Sequence, residues 1–553
     1  MEQLKVKLWE ENLLNKVKGF LKTDNEKLIN GDNQEILLRG VGLGSWLLPE
    51  GYMWLFPEEG DRPRKIEKMI KELLGSDQAA EFWSIYYNNF IKEADIKKIA
   101  EAGFNSIRLP INSRFLLKDN GEIIYNEEHL KLIDRLIKWC RENKLYVILD
   151  LHGAPGGQTG TNIDDSANDL PELFLEDKYK NLTIDIWEKL AERYKDEWIV
   201  AGYDLLNEPL PNWFSEYNEQ LLPLYKEIIA AIRKIDKKHM IILEGLHWST
   251  DWSIFKEKLD QNLMLQFHKY WNNPDTESIS QYLEKRDELK VPIFLFVGGE
   301  NNKEWYTGAF RLFEDHQISW NFWTWKKMST SNSPCSIKKP EGWSKLISYL
   351  KGGAKPERDL AEKILWEYLD NILFKNCIYH EDVVRALFRR PPVLIPAVFY
   401  GYQGENKSFF VNDHNSSRVD FRANDGTKIK FITGSGEKAN FEHQKGEAWQ
   451  KKDWLSVQLD KDEWLAYDFK AAKSSKDTYY KIALALKVNG DKSGIVELFI
   501  DDQKNGDITN LTSNEWVELT FSKKFKLCPG KHKIVIKTVA GSIDYKWLQL
   551  KSF

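Results

Sequence analysis

Tyr203-Asp204-Leu205-Leu206-Asn207-Glu208-Pro209 is the stretch from which the rest of the chain can be read: an apolar run with the pattern of a buried strand stops abruptly at Asn-Glu-Pro. A carboxylate at the mouth of such a strand sits in low dielectric, where its charged form is disfavoured and its proton affinity rises. Glu208 is therefore a candidate general acid of the kind that cleaves sugars. A second apolar run, Val291-Pro292-Ile293-Phe294-Leu295-Phe296-Val297-Gly298-Gly299-Glu300-Asn301, is where the matching carboxylate should end another strand, and Val297 stands there instead.

Outward from these two runs, short apolar segments alternate with amphipathic helical ones through the first 350 residues. Strands are predicted at Ile36 to Leu43, Ser106 to Pro110, Leu145 to Leu151, Tyr203 to Leu206, Met240 to Glu244, Met264 to Phe267, Pro292 to Val297 and Ile318 to Trp323. Between them, Ala94 to Ala102, Glu128 to Asn143, Leu182 to Lys195 and Leu221 to Ile235 place apolar residues at three- and four-residue spacing. Eight strands alternating with helices imply a parallel (β/α)8 barrel, whose chemistry gathers where the strands end. Arg108, His152, Asn207, Glu208, His268, Tyr270 and Trp323 to Lys326 all fall at such ends.

Past Lys351-Gly352-Gly353 the texture changes. Glu357 to Phe374 and His380 to Arg390 read as two further helices, ended by Pro391-Pro392. From Ile395 onward short strands are punctuated by Asn424-Asp425-Gly426, Val488-Asn489-Gly490 and Pro529-Gly530, the pattern of a β-sandwich of jelly-roll type. The expected organisation is a barrel over 1–352, a helical connector over 353–394 and a sandwich over 395–553.

Composition narrows the function classes. At 553 residues the chain exceeds the usual domain size of ~100–250 residues, so two or three domains are expected. A net charge of −5 offers no broad basic field, which argues against nucleic acid as a partner. The 22 Trp, 22 Tyr and 28 Phe supply ring faces of the kind that stack on sugars, although most must serve the core. Cys140, Cys335, Cys377 and Cys528 are scattered without a CxxC, against both a zinc cluster and a disulfide framework. Met1-Glu2-Gln3-Leu4-Lys5 opens no secretion signal, and no stretch approaches the ~20 apolar residues that span a bilayer, so a cytoplasmic protein without membrane contact is expected.

Six segments in order carry a family resemblance: Leu38-Arg39-Gly40-Val41-Gly42-Leu43-Gly44-Ser45-Trp46, Gly103-Phe104-Asn105-Ser106-Ile107-Arg108-Leu109-Pro110, Leu149-Asp150-Leu151-His152-Gly153-Ala154-Pro155-Gly156, Asn207-Glu208-Pro209, Phe267-His268-Lys269-Tyr270 and Trp320-Asn321-Phe322-Trp323-Thr324-Trp325-Lys326. Together they resemble glycoside hydrolase family 5, the family of cellulases, mannanases and β-1,3-glucanases, over roughly residues 20 to 352. The resemblance implies a retaining hydrolase of β-linked oligo- or polysaccharides with two carboxyls ~5–5.5 Å apart and no cofactor or metal. Glu208 matches the acid/base, Asn207 the partner of the sugar 2-hydroxyl, Arg108 and Tyr270 the neighbours of the nucleophile, His152 and His268 polar groups of the site, and Trp323 the platform under the ring being cleaved.

Relatives of this pattern carry Gly-Glu-Thr where this chain has Phe296, Val297 and Gly298, which puts Val297 at the nucleophile position. Glu300 is the local substitute, reachable if the strand bulges or ends late; the preferred reading of Glu300 is a structural carboxylate in the following loop. Three functions stay open: a glycosidase with its nucleophile replaced, a non-catalytic saccharide-binding protein, and altered chemistry using Glu208 with Glu300. The region from Ile395 to Phe553 resembles carbohydrate-binding modules of the family 6 and 35 type, through Ile395-Pro396-Ala397-Val398-Phe399, Val419-Asp420-Phe421-Arg422, Glu463-Trp464-Leu465-Ala466-Tyr467 and Pro529-Gly530-Lys531-His532. Such modules hold a structural calcium through a glutamate where Val398 stands, and Asp544 alone is a poor site for a cation that takes 6–8 oxygens.

Overall fold

The computed structural model describes residues 16–119, 123–414, 419–436, 438–471, 478–490 and 493–553; the first five residues, read above for a leader, lie outside them. Eight parallel strands close into a barrel in sequential order: β1 Arg39–Gly42, β2 Ser106–Asn112, β3 Tyr146–Gly153, β4 Val200–Asp204, β5 Met240–Glu244, β6 Leu263–His268, β7 Ile293–Gly299 and β8 Ser319–Trp323. β2 to β6 are buried along their whole length, because helices cover the outside and side chains fill the inside. Around them run α1 Pro63–Leu74, α2 Ser76–Asn89, α3 Glu93–Ala102, α4 Glu127–Glu142, α5 Asp177–Tyr194, α6 Asn218–Ile235, α7 Ser280–Leu289, α8 Lys303–Asp315 and α9 Trp343–Leu350. Side chains of Asn126 and Asn302 cap α4 and α8 by accepting from His129 N and Trp305 N.

Three strands depart from the sequence expectation: β1 begins at Arg39 where Ile36 was expected, and β4 and β7 differ at their ends. β4 starts at Val200 and stops at Asp204, where Tyr203 to Leu206 was expected; Leu205 and Leu206 are fully buried, but they pack the turn that follows the strand. β7 runs on to Gly299 and carries an extra residue against both neighbours: Phe267 and His268 pair with Leu295 and Val297, and Trp320 and Phe322 with Leu295 and Gly298. This is a β-bulge at the strand's end.

The connector holds α10 Arg358–Asn371 and α11 Glu381–Phe388, and between them Ile378–Tyr379 pairs with Cys335–Ile337 of the barrel's last loop. The sandwich begins two residues earlier than expected, with β9 Val393–Pro396. Its first sheet orders β11 Lys428–Phe431, β12 Leu455–Leu459, β19 Ser542–Ser552, β14 Tyr480–Asn489 and β17 Val517–Thr520, with β9 also paired to β19. The second orders β10 Phe409–Phe410, β13 Trp464–Ala471, β18 Gly530–Ala540, β15 Gly494–Ile500 and β16 Gln503–Leu511. Alternation of buried and half-buried residues along β15 is the signature of a strand with one face on a core.

The sandwich docks on α8. Phe399 lies against Gly308, where a Cβ would stand 2.6 Å from the ring. Buried Arg389 donates to Thr307 O at 2.6 Å on α8 and to Phe399 O at 2.6 Å on the sandwich. No helix among the described residues is long and apolar enough to cross a membrane.

Candidate active site

At the C-terminal mouth of the barrel a cavity of about 480 Å³ is lined by Glu208, Glu300, His152, Asn207, His268, Tyr270 and Trp323. Of the strand-end residues named from the sequence, Thr324, Trp325 and Lys326 do not line it, and neither does Arg108, which is fully buried beneath the floor. There its guanidinium bonds to Asp204 Oδ2 at 2.7 Å, Asn207 Oδ1 at 2.8 Å, Asp150 Oδ2 at 3.0 Å and Glu244 Oε1 at 3.3 Å. Gln266 bridges Asp204 and Glu244. Burial pushes Asp150 and Asp204 well above the usual carboxylate range despite the opposing charge of Arg108. Burial also acts on Glu244, but His268 and Arg108 outweigh it and hold that carboxyl below its ordinary value. Charge in this low-dielectric cluster thus favours Glu244, the acid that faces both Arg108 and His268.

Glu208 lies four residues past the end of β4 in the left-handed region, φ 47°. Its backbone N–H donates to Glu244 Oε2 at 2.8 Å, and its Oε1 meets His268 Nδ1 at 2.5 Å. His268 Nε2 faces Glu244 Oε2 at 3.3 Å. Burial disfavours the imidazolium, yet Glu244 and Glu208 overcome it and raise His268 to about 10. His152 runs the other way: burial and Arg108 lower it to about 3, so a neutral ring bonds to Asp150 Oδ2 at 2.8 Å. The His152 ring lies parallel to that of Trp323, centroids 5.7 Å apart. Trp323 is held by its Nε1, which donates to Tyr52 OH at 2.8 Å.

Glu300 follows β7 directly, also left-handed at φ 45°, and lines the same cavity as Glu208. The loop in which a structural role was expected thus places this carboxylate in the cleft, because β7 bulges and ends late. Lys327 Nζ ion-pairs with Glu300 Oε1 at 3.0 Å, and Trp271 Nε1 donates to the Glu300 carbonyl at 3.1 Å. The backbone of Val297 pairs with that of His268; the side chains of Phe296 and Val297 lie outside the described residues.

The sequence reading passed over a third carboxyl. Glu50 is 5% exposed in the same cavity, and burial followed by the charges of Glu300 and Glu208 pushes it well above its usual range, favouring the neutral acid. Leu47-Leu48-Pro49-Glu50 offers the cue that flagged Glu208, an apolar run ending in a carboxylate. Asn162, Trp248 and Trp271, outside the quoted motifs, and Lys269, inside one but not singled out, also line the cavity. Burial lowers Lys269 to about 8, with Asp275 opposing. Among the described residues no cluster of three or more His, Cys, Asp or Glu side chains is placed to hold a metal. Asp544, the calcium candidate of the sandwich, is neutralised by Lys430 at 2.8 Å and Lys487 at 3.6 Å.

Residues 69–329 match the model of the cellulase family, glycosyl hydrolase family 5. A beta-xylosidase of Phanerodontia chrysosporium is 32% identical over 254 residues, 46% of this chain and 52% of that protein. A probable glucan 1,3-beta-glucosidase A of Emericella nidulans is 36% identical over 238 residues, 42% of this chain and 57% of that protein. The chain thus spans about half the length of the curated relatives it matches. Among solved structures, endoglucanase Cel5A of Thermotoga maritima superposes with a TM-score of 0.41 at 19% identity, over 63% of this chain and 96% of that one.

Proposed function

Taking the barrel to be a glycosyl hydrolase family 5 domain, we propose that its cleft cleaves β-linked glucan- or mannan-type saccharides with Glu208 as proton donor and Glu300 as the second carboxylate. The observation that carries this reading is that Glu208 and Glu300 line one cavity beside the Trp323 ring. Each cavity group has a matching task. Trp323 offers a face to the sugar ring, Asn207 and His152 offer polar atoms to its hydroxyls, and Glu208 faces the glycosidic oxygen while sharing a proton with His268 across their 2.5 Å contact, the proton that passes to the leaving oxygen. Glu300 lies three residues beyond the position of a strand-end nucleophile and is drawn onto Lys327. We take that displacement to open a place for a water between sugar and carboxylate, which makes Glu300 the general base of an inverting scheme, the outcome expected of carboxyls ~6.5–9.5 Å apart.

A second reading, saccharide binding without turnover, is favoured by Val297, which offers no nucleophile at the usual place. Hydrolysis of a panel of aryl β-glycosides, followed by NMR of the first-formed product, separates the two. Turnover that yields the α-anomer and falls by at least ~100-fold in Glu208→Gln supports cleavage by this pair. A β-anomer as first product overturns the inverting scheme, and saccharide binding with no turnover by the parent leaves the binding reading alone.

A further inference from the structure

A second cleft, about 540 Å³, opens beside the first and shares Trp271 and Asn272 with it. One wall is the barrel loop after β6, continuing to Asn273 and Ser278; the other belongs to the sandwich, through Asp420, Lys438, Asn440 and Glu442. The junction is pinned by backbone acceptors. Asn273 Nδ2 donates to Asp420 O at 2.6 Å, and Asn301 Nδ2 donates both to Tyr270 O at 3.1 Å and to Phe441 O at 2.7 Å. Trp271 stands at the border, 38% exposed, its ring tilted against Tyr270 with centroids 5.4 Å apart and its indole N–H on the Glu300 carbonyl.

We propose that this second cleft continues the saccharide path, so that the sandwich supplies one wall of the substrate site and the ligand is a β-linked chain longer than the first cavity holds. The inference rests on the saccharide reading of the barrel cleft and adds to it. Three features of the second cleft fit a sugar chain. Its lining offers amide and carboxylate groups that bond hydroxyls, an exposed indole face that stacks on a pyranose ring, and direct continuity with the cavity of Glu208 and Glu300. Asp420, Lys438, Asn440 and Glu442 are all exposed, so their polar atoms face the cleft without first breaking the core.

Calorimetry on the full chain in a Glu208→Gln background, with β-linked gluco- and manno-oligosaccharides of two and six units, tests the inference. The six-unit chain is expected to bind about tenfold or more tightly than the two-unit one. The double substitution of Lys438 and Glu442 to Ala should remove most of that advantage and leave two-unit binding unchanged. Glu442→Trp, which narrows the cleft from the sandwich side, should do the same. Equal binding of both lengths, or a length advantage that survives both variants, overturns the inference and leaves the barrel reading intact. No binding of either length overturns the barrel reading, and this inference with it.

Discussion

Arg108 bonds to Asp150, Asp204, Glu244 and Asn207 with its guanidinium fully buried, so its loss strands several acids in low dielectric. Arg108→Ala should lower stability by ~3–5 kcal/mol in urea unfolding, and Arg108→Lys should recover little, because an ammonium lacks the planar fork that reaches all four. His268 makes a pH-dependent contribution whose sign follows from its raised value. Stabilisation by its ion pairs with Glu208 and Glu244 is complete below its ordinary ~6.5 and is lost as pH rises through about 10. Lys269, lowered to about 8, and Lys470, lowered by burial to about 7, slope the opposite way over the same range. The difference between parent and His268→Gln is therefore the quantity to measure; it should be largest at pH ~6.5 and below, shrink steadily as pH rises from there, and be gone above about pH 10. His152, Glu208, His268 and Trp323 were legible in the sequence because each stands at or just past the end of an apolar strand. Glu50 offered the same cue but was passed over, since Pro49 breaks its run and no strand ends there.

Among the elements, β7 and the loop after it decide how the cleft is furnished. Gly299 pairs with Trp323 at φ 156°, and a Cβ there would sit 2.3 Å from Trp323 O. Gly299→Ala must therefore push the end of β7 off β8 and carry Glu300 with it. Its expected signature is ~1–3 kcal/mol of lost stability together with a fall in turnover larger than the loss of folded protein. Unchanged kinetics in a folded Gly299→Ala would show that the position of Glu300 is irrelevant to chemistry. The eight barrel strands were readable because each is a short, mainly apolar run, and six of them both begin and end within two residues of the expected bounds. The bulge in β7 was not readable: it is a shift of backbone register against both neighbouring strands, which residue type does not encode. The end of β4 was misjudged for a related reason, as Leu205 and Leu206 satisfy apolar burial equally well in a strand or in the turn beyond it.

For the whole molecule, the absence of any low-complexity linker implied that sandwich and barrel pack closely, but the sandwich is tied to the barrel largely through its backbone groups, and this is why the partners in that docking could not be read from the sequence. Phe441 O, Gln444 O and Glu447 O accept from Asn301, Asn332 and Asn302, and a carbonyl is offered by every residue. Inside the sandwich, the Arg422 guanidinium bonds to Gly401 O at 2.7 Å, Tyr400 O at 2.8 Å, Val398 O at 3.1 Å and Asp425 Oδ2 at 2.6 Å. A side-chain cation thus occupies the turn around Val398, and EDTA should leave the melting temperature unchanged, since only a ligand bound to the native state stabilises by linkage. Arg422→Ala should destabilise by ~3–5 kcal/mol, without rescue by added calcium. A clear drop in melting temperature on chelation would contradict this. The claim that Glu208 and Glu300 together cleave a β-glycoside is tested most directly by comparing aryl β-glycoside turnover in the parent, Glu300→Gln and Val297→Glu, each shown to be folded and to bind the same oligosaccharide. The expected result is a parent that turns over, a loss of at least ~100-fold in Glu300→Gln, and no gain in Val297→Glu. A slow parent unaffected by Glu300→Gln but accelerated by orders of magnitude in Val297→Glu would contradict it.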